Sequence, residues 1–299
     1  MRSPRFSSFA VSAVVSLALM VGTVSTAGAA STPVAPPTSG FYLDLGASAS
    51  VGFQPTLTRP HGRPTSFGYA NDLVAYEAAR GVTLQLTQLG CPGETTTTML
   101  YGGDHCLAPG QTQLMEAMAF LATHRGEPGI VTIDLGFNNF LPCFLHLTVD
   151  PTCAATKLAD VRAQMPVILY DLRSVAGPAV TFVGLGHFDP YLAYGLEGHS
   201  STGFPATSYD VIAQLNAVLH DAFSAANVAM AMVASSFKNH DRTKVPMPGE
   251  GMVPLNVERT CAYTWMCHSR PYGPNFHPDT AGYARIASAI EAVLPRPWS

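Results

Sequence analysis

The chain has 299 residues, a formal charge of −4, and 12% charged against 47% apolar residues. That charged share is about half the usual one, which argues for a packed globular chain rather than a disordered one. No run of Lys and Arg occurs, so nucleic-acid binding has no electrostatic support.

Residues 1–30 read as an export signal rather than as structure. Arg2 and Arg5 make a basic start, residues 9–21 an apolar core, and Ala27-Gly28-Ala29 a small-residue cleavage pattern. The core falls short of the about 20 residues that a span requires. An uncleaved anchor is the alternative, but no later stretch is continuously apolar. The expected mature protein is therefore residues 31–299: one domain, extracellular, monomeric, with no membrane span. Retention at the cell wall stays open. Without the two Arg, 14 Lys and Arg face 20 Asp and Glu, a formal charge of −6.

Strand and helix patterns alternate along this mature chain. Residues 41–45 are an apolar run that can form a buried strand. Residues 55–65 carry Pro, Gly and Arg and read as a loop. Ser66 then caps a helix with an apolar face of Tyr69, Leu73, Tyr76 and Ala79, stopped by Gly81. Residues 82–87 alternate as a strand does. Residues 111–125 are helical and residues 130–135 a strand. A helix over 157–175 contains Pro166, a kink or break. A strand over 180–185, a helix over 209–225 and a strand over 228–233 follow. Residues 234–276 form a long irregular segment, and an amphipathic helix over 279–294 closes the chain. Five strands separated by helices imply an α/β fold in three layers, with a parallel sheet covered on both faces.

Six Cys are present, an even number that suits disulfides in an exported chain, although six allow 15 pairings. Their order favours near neighbours: Cys91 with Cys106, Cys143 with Cys153, and Cys261 with Cys267. Zinc is the rival reading, with Cys267-His268 as its one compact pair.

Four short stretches carry the chemistry. Ser48 follows the first strand in Gly46-Ala47-Ser48, where a hydroxyl can project into the crevice at the sheet's carboxyl edge. Gly90-Cys91-Pro92-Gly93-Glu94 follows the second strand, and Gly136-Phe137-Asn138-Asn139 the third. His277-Pro278 heads the last helix. In this order they resemble the four blocks of the SGNH (GDSL-type) hydrolases, and the likeness is closest to the family's secreted bacterial lipases and esterases.

The resemblance implies a flavodoxin-like strand order 2-1-3-4-5 and specific roles. Ser48 is the nucleophile and His277 its base. The oxyanion donors are the backbone N–H groups of Ser48 and Gly93 and the Asn138 amide. Two positions depart from the family pattern. Ala47 stands where the family has Asp, which leaves the ordering of the loop around Ser48 unassigned. Pro274 stands where the family has the Asp that orients the His. Some members work as a Ser–His dyad with a backbone carbonyl in that place, and the Pro274 carbonyl is the matching candidate. Asp279 is expected to point away.

His187, His199, His240 and His268 are candidates for the cleft wall. Met99, Phe140, Met247, Met252 and Trp265 are candidates for an apolar acyl groove. No Gly-x-Ser-x-Gly elbow, Walker lysine loop or Rossmann fingerprint occurs, so no cofactor or metal is expected. The leading expectation is a serine ester hydrolase acting on lipid or other carboxylic esters. The alternatives are a carbohydrate O-acyl esterase and a non-catalytic binding protein on the same fold.

Overall fold

Strand β1 (Ser39–Gly46) is the centre around which the other layers pack. Its side chains alternate between two apolar environments. Phe41, Leu43 and Leu45 face one core cluster, and Tyr42 faces the other. This period of two is what places one strand between two helical layers. The protein, described from a computed structural model, is defined over residues 38–196 and 203–295. The export signal read over residues 1–30, and His199, lie outside the described residues.

The remaining central strands are β2 (Thr83–Gln88), β3 (Gly129–Asp134), β4 (Val180–Leu185) and β5 (Ala229–Ala231). They form one sheet in the order β2-β1-β3-β4-β5, every pairing parallel. This is the 2-1-3-4-5 order implied by the family resemblance. Helices α1 (Tyr69–Ala79), α2 (Thr96–Tyr101), α3 (Gln113–Thr123) and α4 (Pro151–Val175) follow in chain order. They are joined by α5 (Phe204–Ala225), α6 (Val233–Ser236), α7 (Leu255–Tyr263) and α8 (Thr280–Glu291). Leu114 and Leu121 of α3, Ile168 and Leu172 of α4, and Leu215 and Leu219 of α5 cover one face of the sheet. Leu73 of α1, with Tyr283, Ile286 and Ile290 of α8, covers the other.

Four local expectations are corrected. Residues 55–65 are not irregular, because Gln54–Thr56 and Arg59–Arg63 pair as an antiparallel ribbon. The residue capping α1 is Gly68, not Ser66, and it makes no side-chain cap bond. Pro166 does not break α4; the helix runs through it and begins earlier, on an Asp150 cap that accepts from Thr152 and Cys153. Residues 234–276 hold an antiparallel hairpin (Lys244–Met247 with Gly251–Pro254), α7 and a 3-10 turn (Trp265–Cys267). Pro and Gly in that segment hid the short elements.

The three bridges Cys91–Cys106, Cys143–Cys153 and Cys261–Cys267 are all formed. Cys267 is thereby unavailable as a metal ligand.

Candidate active site

The polypeptide leaves β1 through Gly46, whose φ is +133°. A Cβ there would lie 2.2 Å from the Asp134 carbonyl oxygen, so only glycine lets β1 and β3 end this close together. Ala47 N–H then donates to that same carbonyl at 3.1 Å, and Phe53 N–H donates to the Ser48 carbonyl at 3.1 Å. Ser48 is thus held on a short turn at the carboxyl edge of the sheet. Ala47 leaves no side-chain carboxylate in this turn. Asp134 on β3 takes a hydrogen bond from the Ser50 backbone within it.

His277 lies across the cavity from this turn, ahead of α8. Its carbonyl accepts from Trp265 N–H at 3.1 Å, and Asp279 N–H donates to the Tyr263 carbonyl at 3.0 Å. The ring packs against Phe53 and Phe276, with centroids at 4.7 and 4.4 Å. Ser48 and His277 are 9% and 8% exposed. Both line a single narrow cavity, together with Asn138.

The partner of the imidazole differs from the expectation. His277 Nδ1 lies 2.7 Å from Asn275 Oδ1, and the His277 backbone N–H donates to the same oxygen at 3.0 Å. A backbone N–H requires an acceptor, which identifies that atom as the amide oxygen. Nδ1 therefore carries the ring proton, and Nε2 presents its lone pair. The Pro274 carbonyl is not the partner of Nδ1; Pro274 lines a separate open groove on the outer side of His277. Asp279 points elsewhere, as expected, accepting from Gly282 N–H as the cap of α8. Burial lowers the His277 pKa to about 3. The imidazole is thus neutral throughout the physiological range.

The second and third blocks meet beside Ser48. Asn138 Nδ2 donates to the Glu94 carbonyl at 3.0 Å, and Cys91 N–H donates to the Gly46 carbonyl at 3.0 Å. Asn139 accepts from Thr96 N–H at 3.1 Å and binds the Thr96 hydroxyl at 2.9 Å. The Asn138 amide keeps one N–H for the cavity. Gly93 stands apart. It is exposed, with φ +94°, at the tip of a turn closed by Glu94 N–H to the Cys91 carbonyl, and it does not line the Ser48 cavity.

The cavity wall is apolar, formed by Ala47, Ala49, Phe137, Leu185, Phe188, Val233, Phe276 and Ile286. None of the five rim residues expected to form an acyl groove belongs to it. Met99 and Phe140 are core residues, Met247 packs in a small cluster beside α7, and Met252 is exposed. Trp265 stacks near His268 and Tyr272. Of the histidines, His187 does line the cavity, facing Asp134 at 3.7 Å and bonding the Leu135 carbonyl through Nε2. His240 instead bonds Tyr209, and His268 lies 4.0 Å from Asp279.

This topology is a three-layer α/β/α fold, consistent with that of the SGNH hydrolases, with the candidate site at the carboxyl edge of its sheet. Two solved structures superpose with TM-score 0.52 at 18% identity: a phospholipase A1 from Streptomyces albidoflavus and an extracellular lipase from Streptomyces rimosus. The first match covers 85% of this chain and 98% of that one, the second 84% and 99%. An acetylxylan esterase from Geobacillus stearothermophilus superposes with TM-score 0.50 at 14% identity, over 87% of this chain and 95% of that one. No protein-family model and no curated protein sequence matches the chain.

Proposed function

We propose that the chain is an exported serine ester hydrolase of the SGNH family that works through an acyl-Ser48 intermediate. The observation that carries this reading is the one cavity shared by Ser48, His277 and Asn138, with Asn275 fixing the imidazole tautomer. His277 Nε2 takes the hydroxyl proton as Ser48 Oγ attacks the ester carbonyl. The Asn138 amide and the Ser48 N–H receive the oxyanion, each donor contributing about 10²–10³ in rate, while Gly93, the third donor the resemblance implies, stands outside the cavity. His277 then passes the proton to the departing alcohol, and water releases the acid by the same route. The reaction needs no cofactor. The apolar wall favours an alkyl acyl group, and carboxylic esters with such groups are the assigned substrates. Three disulfides support an oxidising destination. No helix among the described residues is long and apolar enough to cross a membrane.

A fluorophosphonate should label the intact protein at Ser48, and a chromogenic short-chain ester should be turned over with a burst. Ser48→Ala should lose both while keeping its circular dichroism. Label on Ser50 would overturn the assignment of Ser48, and no turnover across a panel of acyl esters would leave the non-catalytic reading standing.

A carbohydrate O-acyl ester is the second reading. It is favoured by the open groove outside His277, bordered by Tyr191, Tyr194, Tyr272 and Phe276, since aromatic faces with a polar edge suit a sugar ring. Higher kcat/KM on acetylated oligosaccharides than on simple alkyl esters would select it.

A further inference from the structure

Glu94 is a fully buried carboxylic acid one residue beyond Gly93. Among the described residues no cation forms an ion pair with it. Its Oε2 accepts from Gln113 Nε2 at 3.0 Å, and its Oε1 bonds the Thr98 hydroxyl at 2.5 Å. Gln113, itself buried on the first turn of α3, grips Gly46 with both ends of its amide, the Nε2 that meets Glu94 included. It accepts from Gly46 N–H at 2.7 Å and donates to the Gly46 carbonyl at 3.0 Å. That double bond fixes which end of the Gln113 amide faces Glu94. The Glu94 carbonyl meanwhile accepts from Asn138 Nδ2. One residue therefore touches the loop carrying Gly93, the amide of Asn138 and, through Gln113, the strand end that delivers Ser48.

We propose that Glu94 is the positioning residue of the oxyanion hole, aligning Asn138 through its own carbonyl and the Ser48 turn through Gln113. The inference rests on Ser48 and His277 being the catalytic pair. It also gives acyl transfer a specific dependence on pH. Burial, with Asp104 adding like charge, raises the Glu94 pKa to about 7. Gln113 and Thr98, its other neighbours, are neutral, and His105 is turned to the Cys91–Cys106 bridge. In the protonated form the site carries no charge behind the oxyanion donors. Once Glu94 ionises, a buried negative charge sits on the residue whose carbonyl holds the Asn138 amide, and it opposes the developing oxyanion.

The experiment is a kcat/KM profile on one soluble ester for wild type, Glu94→Gln and Thr98→Val. Wild type should fall roughly tenfold between pH 6 and pH 8, as one group titrating near 7 requires. Glu94→Gln can accept from Gln113 and donate to Thr98 while staying neutral, so its profile should lose this decline. Thr98→Val removes a bond that favours the ionised form, so the midpoint should move to higher pH. Asp134, His187 and His277 also face the cavity, and a decline due to any of them would survive in Glu94→Gln. A flat wild-type profile, a Glu94→Gln profile with the wild-type decline, or an unmoved midpoint in Thr98→Val would each overturn the proposal. If Ser48→Ala stayed active, the catalytic reading would fall and this one with it. An inactive Ser48→Ala beside an unchanged Glu94→Gln profile would remove only the role of Glu94.

Discussion

Asn275 does for His277 what a carboxylate does in a Ser-His-Asp triad, but without charge. It holds Nδ1–H and so the tautomer, yet it cannot stabilise the imidazolium that the proposed mechanism forms when Ser48 gives up its proton. Losing the correct tautomer in a serine protease costs about 10⁴ in kcat. Asn275→Ala should therefore lower kcat by roughly 10²–10⁴ with little change in KM, while Asp279→Asn should change it only modestly. Asn275→Asp is the informative opposite. A carboxylate 2.7 Å from Nδ1 favours the charged ring and raises the His277 pKa. The base is active when neutral, so the acid limb of kcat/KM should move upward in Asn275→Asp, whereas wild type keeps its activity at pH 5. An acid limb at the same pH in both proteins would show that Asn275 does not govern the ring.

The segment that presents His277 is made of short pieces tied to one another rather than of one long element. Residues 263–265 pair with 275–279 through Asn275 N–H to the Trp265 carbonyl, Trp265 N–H to the His277 carbonyl, and Asp279 N–H to the Tyr263 carbonyl. The Cys261–Cys267 bridge clips this strip to the end of α7. A loop of that size contributes about 2 kcal/mol in the chain-entropy model. Replacing both Cys by Ala should lower the melting temperature and reduce kcat together, because the same strip positions the base. The cap of α8 separates the two effects. Asp279→Ala removes the bond to Gly282 N–H and should cost about 1 kcal/mol, measured by urea unfolding, with a much smaller loss of kcat.

Several buried acids make the fold less stable as pH rises, and together they outweigh the opposite contribution of buried His277. Burial raises the pKa of Asp44 and Asp134, and raises that of Asp189 to about 7. Asp44 accepts from Tyr69 and Thr132, and Asp189 from Tyr191 N–H and the Ser208 hydroxyl. The folded state therefore holds protons that the unfolded chain releases near pH 4. Their contribution to stability is complete below that value and is lost as pH rises through the folded pKa, about 7 for Asp189. Thermal melts should give a higher midpoint at pH 5 than at pH 8, and Asp189→Asn should flatten the difference. A midpoint that rises with pH would contradict this account.

Much of this molecule was legible in the linear chain because its causes are local. Alternation marked the central strands, and periodicity with caps and glycines marked most helices. Near-neighbour cysteines foretold the bridges, and the four blocks foretold the fold. Failures came where distance along the chain is large or a short element is disguised. Gln113 meets Gly46 across 67 residues and Asn138 meets Glu94 across 44, and no periodicity encodes such meetings. The acyl-wall residues were misassigned for the same reason: Met99 and Phe140 are as apolar as Phe137 and Ile286, and only packing decides which reach the cavity. Asn275 is the instructive exception, since an amide two residues before a His lies within local hydrogen-bond reach. It sits one residue after Pro274, the family's position for the acid, so the family pattern does not mark it. Chemistry that depends on a residue's neighbours in sequence was written in the chain, whereas partners, burial and the charge state of Glu94 and His277 arose only when the layers closed around them.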